Sequence, residues 1–236
     1  MIPTVLAVGL SKRFVDAAVL EALDFRIEPG EFVGIGGANG SGRTTLLRIL
    51  ATLVRPTSGR LEISGVDAVR RVHDARRRVM FASGACVHGD GLRVREYLDV
   101  LRASRSRSIG DAAGMSAAEA VARAQLPADA FVDVLSTGLL QQLALAAALL
   151  VGRDLIVIDD GLTAVDAAAR ARFAGWLRER RDAGIAIVAA LNDEAELLPL
   201  CHRVMRLEHG RLLSRANAMT ARGGSRRGPS VVAGGS

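Results

Sequence analysis

Short apolar runs alternate with segments of helical periodicity over most of the chain. Residues 32–35, 155–158 and 185–190 predict buried strands, because about four to eight apolar residues between turn residues are typical of a parallel sheet. Leucines at helical spacing predict a helix from about Thr44 to Leu53, in a segment that Pro56 ends. The alternation of strands and helices predicts an α/β fold with a mostly parallel sheet.

The middle of the chain has a different pattern, which predicts a helical insert. Residues 94–124 are rich in alanine and arginine at helical spacing. Ser116 and Glu119 have the spacing of a capping box, in which a hydroxyl and a carboxylate satisfy the free N–H donors at a helix start. Further helices are predicted over about 136–151 and 166–183.

The last third of the chain predicts how the domain ends. His209 and Gly210 between two apolar stretches predict a two-residue hairpin. From residue 216 onward the chain is Gly, Ser, Arg and Ala without a period, which predicts disorder. We therefore predict one domain over residues 1–215, with a helical subdomain inserted at about 85–150, and a disordered tail over 216–236.

A glycine-rich loop between a predicted strand and a predicted helix is the first candidate site. Its glycines allow backbone N–H groups to turn toward an anion, and the helix dipole adds to the attraction. A P-loop of this kind carries a hydroxyl that holds Mg²⁺, here Thr44, and a lysine one residue earlier, which is replaced here by Arg43. The alternative is a glycine-rich turn that binds nothing. The residues of the loop are Gly37, Ala38, Asn39, Gly40, Ser41, Gly42, Arg43, Thr44 and Thr45.

Two carboxylates follow the apolar strand at 155–158. A buried strand that ends in an acid is how P-loop proteins hold Mg²⁺ and a water molecule, which makes Asp159 and Asp160 candidates for these two roles. The alternative is a core strand with a solvated end. That alternative leaves unexplained the segment Leu-Ser-Thr-Gly at 135–138, which stands just before a predicted helix in the same chain.

The formal net charge of +6 does not by itself indicate a nucleic-acid partner. The basic residues are one lysine, Lys12, and 30 arginines, a ratio typical of a coding bias. Arginines at 70–71 and 76–78 could contact phosphates, but only 3% of residues are aromatic, so platforms for stacking bases are scarce. We therefore predict no nucleic-acid partner.

Other signals indicate a cytoplasmic protein. The longest apolar run, at 143–151, is far below the roughly 20 residues of a membrane-spanning helix, and the first ten residues lack the pattern of a signal peptide. Cys86 and Cys201 are too few for a disulfide framework and lack the spacing of metal ligands.

Together these motifs, in their order and spacing, resemble the ATP-binding subunit of an ABC transporter over residues 5–214. The resemblance implies a P-loop NTPase fold with an N-terminal antiparallel β part and a helical insert. The motifs that carry it are Phe14 as the adenine-stacking aromatic, 37–45 as Walker A, 135–138 as the signature, 155–160 as Walker B, 163–166 as the D-loop, and the turn at 55–59.

The resemblance also implies ligands and partners. Mg-ATP would lie between the Walker A loop of one chain and the signature residues Ser136 and Gly138 of another, in a head-to-tail dimer. The helical insert would receive a coupling helix of a membrane subunit. The chain would then be peripheral on the inner face of the cell membrane.

Departures from the family pattern fall on the catalytic positions. Aligned with the family, the Walker A lysine, the catalytic glutamate, the Q-loop glutamine and the switch histidine are replaced by Arg43, Asp160, Gly84 and Asn192. Asparagine cannot take a proton, and the shorter aspartate draws its carboxylate back from a water molecule. We therefore predict ATP binding with slow hydrolysis or none.

Several functions are compatible with this sequence. The surviving signature residues predict a heterodimer with a competent ABC ATPase. One candidate is a transport ATPase that tolerates these substitutions, and another is a regulatory subunit that uses ATP only to close an interface. Soluble ABC proteins of translation or DNA repair are less well supported, since the chain has neither a tandem domain nor a long coiled-coil insert.

Overall fold

The structure is a computed structural model that describes residues 1–15, 17–89, 91–106, 115–159, 165–191 and 198–214. Within these ranges the strands form two sheets. The strands are β1 (Val5–Phe14), β2 (Ala17–Ile27), β3 (Phe32–Gly36), β4 (Ser58–Ile63), β5 (Val66–Asp67), β6 (Val79–Ala82), β7 (Leu155–Ile158), β8 (Ala186–Ala190), β9 (Arg203–Glu208) and β10 (Arg211–Ser214). The helices are α1 (Arg43–Leu50), α2 (Val72–Arg76), α3 (Val94–Ser106), α4 (Ala117–Ala124), α5 (Thr137–Val151) and α6 (Ala167–Asp182).

The first sheet is antiparallel and has the strand order β2-β1-β4-β5. Strands β1 and β2 form a long hairpin whose ladder is irregular near its turn. Lys12 pairs with Leu20 and Arg13 pairs with Ala18, so the ladder skips Val19. A bulge of this kind bends the strand and redirects a side chain.

The second sheet has the strand order β10-β9-β3-β8-β7-β6. Strands β9, β3, β8, β7 and β6 run parallel, and β10 returns antiparallel to β9 through the predicted hairpin. The predicted fold class, a mostly parallel sheet with an antiparallel N-terminal part, is therefore confirmed.

Apolar side chains of the central strands fill both faces of the parallel sheet. Successive residues of a strand point to opposite faces, so Ile156 belongs to one buried cluster and Val157 to another. The first cluster includes residues of α3, α4, α5 and α6, while the second includes residues of α1 and the antiparallel sheet. Trp176 lies in the first cluster and is 1% exposed, as predicted for a helix packed on the sheet.

Helix ends follow local signals, with one difference from the prediction. Helix α4 begins with the predicted capping box, and Ser136 and Asp166 cap α5 and α6. The prediction that the first helix reaches Leu53 is wrong, because α1 ends at Leu50 and Thr52 takes a positive φ of 60°. The backbone turns out of the helix at that point, well before Pro56.

Helices α3, α4 and α5 contact one another and form the helical layer that the sequence predicts. Residues 107–114 and 192–197 fall outside the described residues, and a short 3₁₀ turn at Leu198–Leu200 follows the second of these gaps. None of the described helices has the length and apolarity required to cross a membrane.

Candidate functional site

The glycine-rich loop lies at the carboxyl edge of the parallel sheet, between β3 and α1. Gly36 ends β3, Gly42 is the N-cap of α1, and Arg43 begins the helix. Gly37 has a φ of 149°, and a Cβ there would lie 2.4 Å from the carbonyl oxygen of Leu207. Only glycine fits this close approach, which holds the loop against β9.

A cleft of about 450 Å³ opens over this loop. In sheet order β8 lies between β3 and β7, so the loop after β3 and the acid after β7 meet at one edge. The residues that line the cleft are Val19, Asn39, Gly40, Ser41, Gly42, Arg43, Thr44, Thr45, Asp159 and Ala190. The structure thus brings together most of the predicted loop and the predicted metal ligand, although they are more than 100 residues apart in sequence.

The two predicted metal ligands face each other across the cleft. Thr44 Oγ1 lies 3.4 Å from Oδ1 of Asp159, and Asp159 is only 4% exposed. A hydroxyl and a carboxylate are the hard oxygen donors that Mg²⁺ prefers, and Mg²⁺ usually takes its remaining ligands from water and phosphates. The donor set therefore fits Mg²⁺ bound together with a phosphate ligand.

The side chain of Ser41 also indicates that the loop can hold an anion. Its Oγ is buried, and within the described part of the chain it has no hydrogen-bond partner. A buried hydroxyl without a partner is unfavourable, and an anion in the loop would supply an acceptor. The loop therefore fits a phosphate group.

Arg43 occupies the position of the expected lysine and is held by two contacts. Its Nη1 donates to the carbonyl oxygen of Leu191, just past β8, and its Nη2 donates to Oδ1 of Asn39 at 3.3 Å. The planar guanidinium thus bridges the loop and the end of a neighbouring strand. A lysine carries a compact charge without this paired geometry.

The antiparallel sheet provides one wall of the cleft. The bulge in β2 places Val19 against the loop, since a Cβ on Gly42 would lie 3.0 Å from the Val19 carbonyl oxygen. Phe14 lies nearby at the end of β1, is 47% exposed, and does not line the cleft among the described residues. Its ring is covered by Lys12, whose Nζ lies 4.7 Å from the ring centroid.

The predicted signature residues lie elsewhere. Ser136 is exposed, and its Oγ accepts a hydrogen bond from the Leu139 N–H at the start of α5. Within the described chain, neither Ser136 nor Gly138 lines the cleft that holds the loop. The start of α5 therefore lies away from the cleft over this chain's own loop.

Gly84, in place of the expected Q-loop glutamine, packs directly on Gln141 of α5. A Cβ at Gly84 would lie 2.8 Å from Gln141 Cγ and 3.2 Å from its backbone nitrogen. Gln141 is 7% exposed. The close packing of α5 at this point therefore requires a residue without a side chain at position 84.

The two predicted catalytic residues, Asp160 and Asn192, lie outside the described residues, as does the first half of the predicted D-loop. Within the described ranges, His, Cys, Asp and Glu form no group of three that could hold a metal ion. Sequence reasoning missed Val19, Ala190 and the contacts of Lys12. Only the register of β1 against β2 reveals the position of Val19, and that register is not readable from the hydrophobic pattern.

The fold and this cleft define a P-loop nucleotide-binding protein. The family profile of ABC transporters matches residues 20–163. The Nod factor export ATP-binding protein I of Burkholderia thailandensis is 34% identical over 87% of this chain and 68% of its own length. A daunorubicin resistance ATP-binding protein of Streptomyces coeruleorubidus is 31% identical over 89% of this chain and 67% of its own length.

Solved structures agree on the fold. An ATP-binding subunit of an ABC transporter superposes with a TM-score of 0.78 at 22% identity, over 91% of this chain and 90% of that one. A dimeric ATP-binding cassette bound to ADP and Pi superposes with a TM-score of 0.77 at 23% identity, over 88% and 96%. The chain belongs to the ABC transporter family, as an ATP-binding subunit. ABC ATPases bind ATP, typically with Mg²⁺, and the subunits dimerise and pair with membrane subunits.

Proposed function

We propose that this chain binds Mg-ATP and couples dimer closure to transport by a membrane partner, while hydrolysing ATP slowly or not at all. The observation that carries the proposal is the cleft itself, in which the glycine loop, the Ser41 hydroxyl and the Thr44–Asp159 pair converge. The family membership supports ATP as the ligand.

Each part of the cleft has a role in this proposal. Backbone N–H groups of the loop and the start of α1 would hold the phosphates. Mg²⁺, held by Thr44 and Asp159, would neutralise phosphate charge. Phe14 would stack on the adenine, as the resemblance implies.

Weak hydrolysis is supported by the residues at the positions that the resemblance assigns to catalysis. Arg43 keeps a positive charge, but its guanidinium is bulkier than an ammonium and already bridges Leu191 and Asn39. Gly84 has no side chain to reach a metal or water, and Asp160 and Asn192 replace a glutamate and a histidine. A well-placed general base contributes about 10²–10⁴ in rate. The loss of the family's catalytic groups therefore predicts a rate of ATP hydrolysis far below that of an ordinary ABC ATPase.

The location of the signature supports action on a second subunit. Ser136 and Gly138 lie at the exposed start of α5, away from this chain's own loop. In a head-to-tail dimer they would contact ATP held by the partner. We therefore propose a heterodimer in which a competent ABC ATPase supplies the intact catalytic residues.

A groove between the nucleotide-binding core and the helical layer is the proposed site for the membrane partner. This groove has a volume of about 250 Å³ and a largely apolar lining. Leu53, which is 52% exposed, and Tyr97 of α3 are among its lining residues. A short amphipathic helix of a membrane subunit fits such a groove, which would place the chain on the inner face of the membrane.

Calorimetry tests nucleotide binding most directly. We expect the chain to bind a non-hydrolysable ATP analogue with Mg²⁺, and we expect Asp159→Asn to weaken the Mg²⁺-dependent part of the affinity at least tenfold. Asp154→Asn is the matched control, because Asp154 precedes the same strand and pairs with Arg78 at the surface. No binding by the unaltered chain, or equal effects of the two variants, would contradict the proposal.

Turnover measurements test the second half of the proposal. We expect the purified chain to hydrolyse ATP far more slowly than ordinary ABC ATPases and to stimulate a competent partner subunit on mixing. Ordinary turnover that Asp159→Asn abolishes would show instead a transport ATPase that tolerates its substitutions. Low turnover that stays low with the partner and with membrane subunits would favour the regulatory alternative, in which ATP only closes an interface.

A further inference from the structure

We propose that Lys12 is a positioning residue, which holds the ring of Phe14 so that a nucleotide base can stack on one face only. The inference rests on the proposed function, because it concerns how the same site recognises a base. Lys12 is the chain's only lysine, and its contacts are specific.

Lys12 makes two contacts of different kinds. Its ammonium lies 4.7 Å from the centroid of the Phe14 ring, within the range of a cation–π interaction. The same Nζ donates a hydrogen bond of 2.9 Å to the carbonyl oxygen of Arg55. Residues two apart on a strand point to the same face, so strand geometry allows the ammonium to reach the ring, and the bond to Arg55 fixes it there.

The backbone around this pair is held as well. The Arg13 N–H donates to Thr57 Oγ1 at 3.0 Å, and the Thr57 N–H donates to the carbonyl oxygen of Ser11 at 2.8 Å. Thr57 belongs to the turn that follows α1, the helix that begins at the phosphate loop. The backbone just before Phe14 is therefore tied, through this turn, to the helix that would bind the phosphates.

Two consequences follow for ligand binding. With the ammonium over one face of the ring, a base can approach only the opposite face. The ring is 47% exposed, and a partly exposed ring that is already fixed loses less side-chain freedom when a base stacks on it. Lys12 should therefore contribute to affinity for a nucleotide but not to affinity for phosphates alone.

The test compares Mg-ATP with inorganic tripolyphosphate, which lacks the base. We expect Lys12→Met to weaken ATP binding about two- to fivefold, the size of an exposed cation–π interaction, and to leave tripolyphosphate binding unchanged. Titrations in about 0.3 M salt suppress long-range charge effects. Lys12→Arg, which keeps a cation and a donor, should restore ATP affinity, and Phe14→Leu should weaken ATP binding without affecting tripolyphosphate.

A spectroscopic measurement keeps the proposal testable if a variant fails to fold. Reductive methylation with ¹³C-formaldehyde labels Lys12 as the sole lysine, together with the N-terminal amine, and preserves the charge. We expect the Lys12 methyl signal of the unaltered chain to lie upfield of its position in Phe14→Leu, because the Phe14 ring shields it. ATP should move this signal further, whereas tripolyphosphate should not.

The outcomes separate the two proposals. If the unaltered chain binds neither ligand, the proposed function fails, and this inference fails with it. If the chain binds both ligands but Lys12→Met affects both equally or neither, or if the methyl signal is not shielded, the role of Lys12 is refuted while the proposed function stands.

Discussion

Arg43 and Gly84 stand where the family resemblance predicts a lysine and a glutamine, and both residues contact their neighbours closely. Arg43 bridges Asn39 and the backbone of Leu191, and Gly84 leaves no room for a side chain above Gln141. Restoring the family residue at either position would therefore disturb contacts that exist in this chain. Both residues therefore belong to the packing of this chain as it stands.

Gly84→Gln should destabilise the chain without restoring ATP turnover. Overpacking typically costs about 1–3 kcal/mol, and the nearest obstacles here are the middle and the backbone of Gln141. Urea unfolding measures the change in stability. Gly175→Gln is the matched control, since a Cβ at that position of α6 meets nothing within 4 Å; it should be neutral or slightly stabilising. A Gly84→Gln chain of unchanged stability would contradict the packing argument.

The two cysteines should differ sharply in reactivity. Burial raises the pKa of the Cys201 thiol to about 12, whereas Cys86 is exposed. At pH 8 only roughly one in ten thousand Cys201 side chains is then a thiolate, the reactive form. We expect a thiol reagent to modify one cysteine rapidly in the folded chain and both cysteines in denaturant. Rapid reaction persisting in Cys86→Ser would count against the burial of Cys201.

At the scale of elements, the start of α4 is stabilised by a complete capping box. The Glu119 N–H donates to Ser116 Oγ at 3.1 Å, and the Ser116 N–H donates to Glu119 Oε2 at 2.7 Å. The second bond, together with that from the Ser116 hydroxyl, holds the pKa of the Glu119 carboxyl below its ordinary value. The capping box therefore makes the stability of this helix depend on pH.

Ser116→Ala should lower the free energy of unfolding by about 1 kcal/mol, the usual effect of losing an N-cap. Because the folded pKa of Glu119 is depressed, its contribution is present above the unfolded pKa and is lost as pH falls through the folded pKa. Urea unfolding at neutral pH and in the acid range measures both effects. Glu119→Gln keeps an acceptor without a charge, so it should remove this group's part of the acid dependence; an unaltered acid dependence in that variant would contradict the assignment.

Elements with strong local signals were predictable from sequence. The apolar strands β3, β7 and β8, the capping box of α4 and the β9–β10 hairpin follow from patterns within a few residues. The end of α1 was not predictable in this way, because no Gly or Pro marks Leu50. The short strand β5 was missed, since a pair of residues has no periodicity to detect.

The candidate site likewise contains residues that the sequence predicts and contacts that it does not. The loop and Asp159 carry motifs, so their residues could be predicted, and their meeting follows from the parallel order of β3, β8 and β7. The contact of Arg43 with Leu191 spans 148 residues, and the position of Val19 depends on a bulge. Such features arise from tertiary structure and leave no local pattern.

At the scale of the whole molecule, Arg123 connects the helical layer to the parallel sheet domain. It lies on α4, its Cζ is 4.8 Å from the Trp176 ring, and its Nη2 is 2.5 Å from Oε1 of Glu179; both partners lie on α6. Beneath this contact, the Trp176 ring stacks on Phe173. A single side chain thus bridges the two layers at a position that the only tryptophan can report.

Arg123→Met should destabilise the chain by about 1 kcal/mol, through loss of a cation–π contact and a partly exposed ion pair. It should also change the fluorescence of Trp176, because the charge above the indole is removed. Arg102→Met, on the exposed side of α3, is the matched control and should change neither property. Identical behaviour of the two variants would indicate that Arg123 does not join the layers in solution.

Val19, the residue that the ladder of β2 skips, interrupts the regular pairing of the hairpin but forms part of the nucleotide cleft. Without Val19 the end of the hairpin next to the turn could pair without this bulge, yet the phosphate loop would lose the contact of Val19 with Gly42. Selection for heat resistance alone would favour the shorter strand, while selection for nucleotide capture would keep the longer one. Deleting this one residue is therefore a change by which such a chain could gain thermal stability and lose nucleotide binding at the same time.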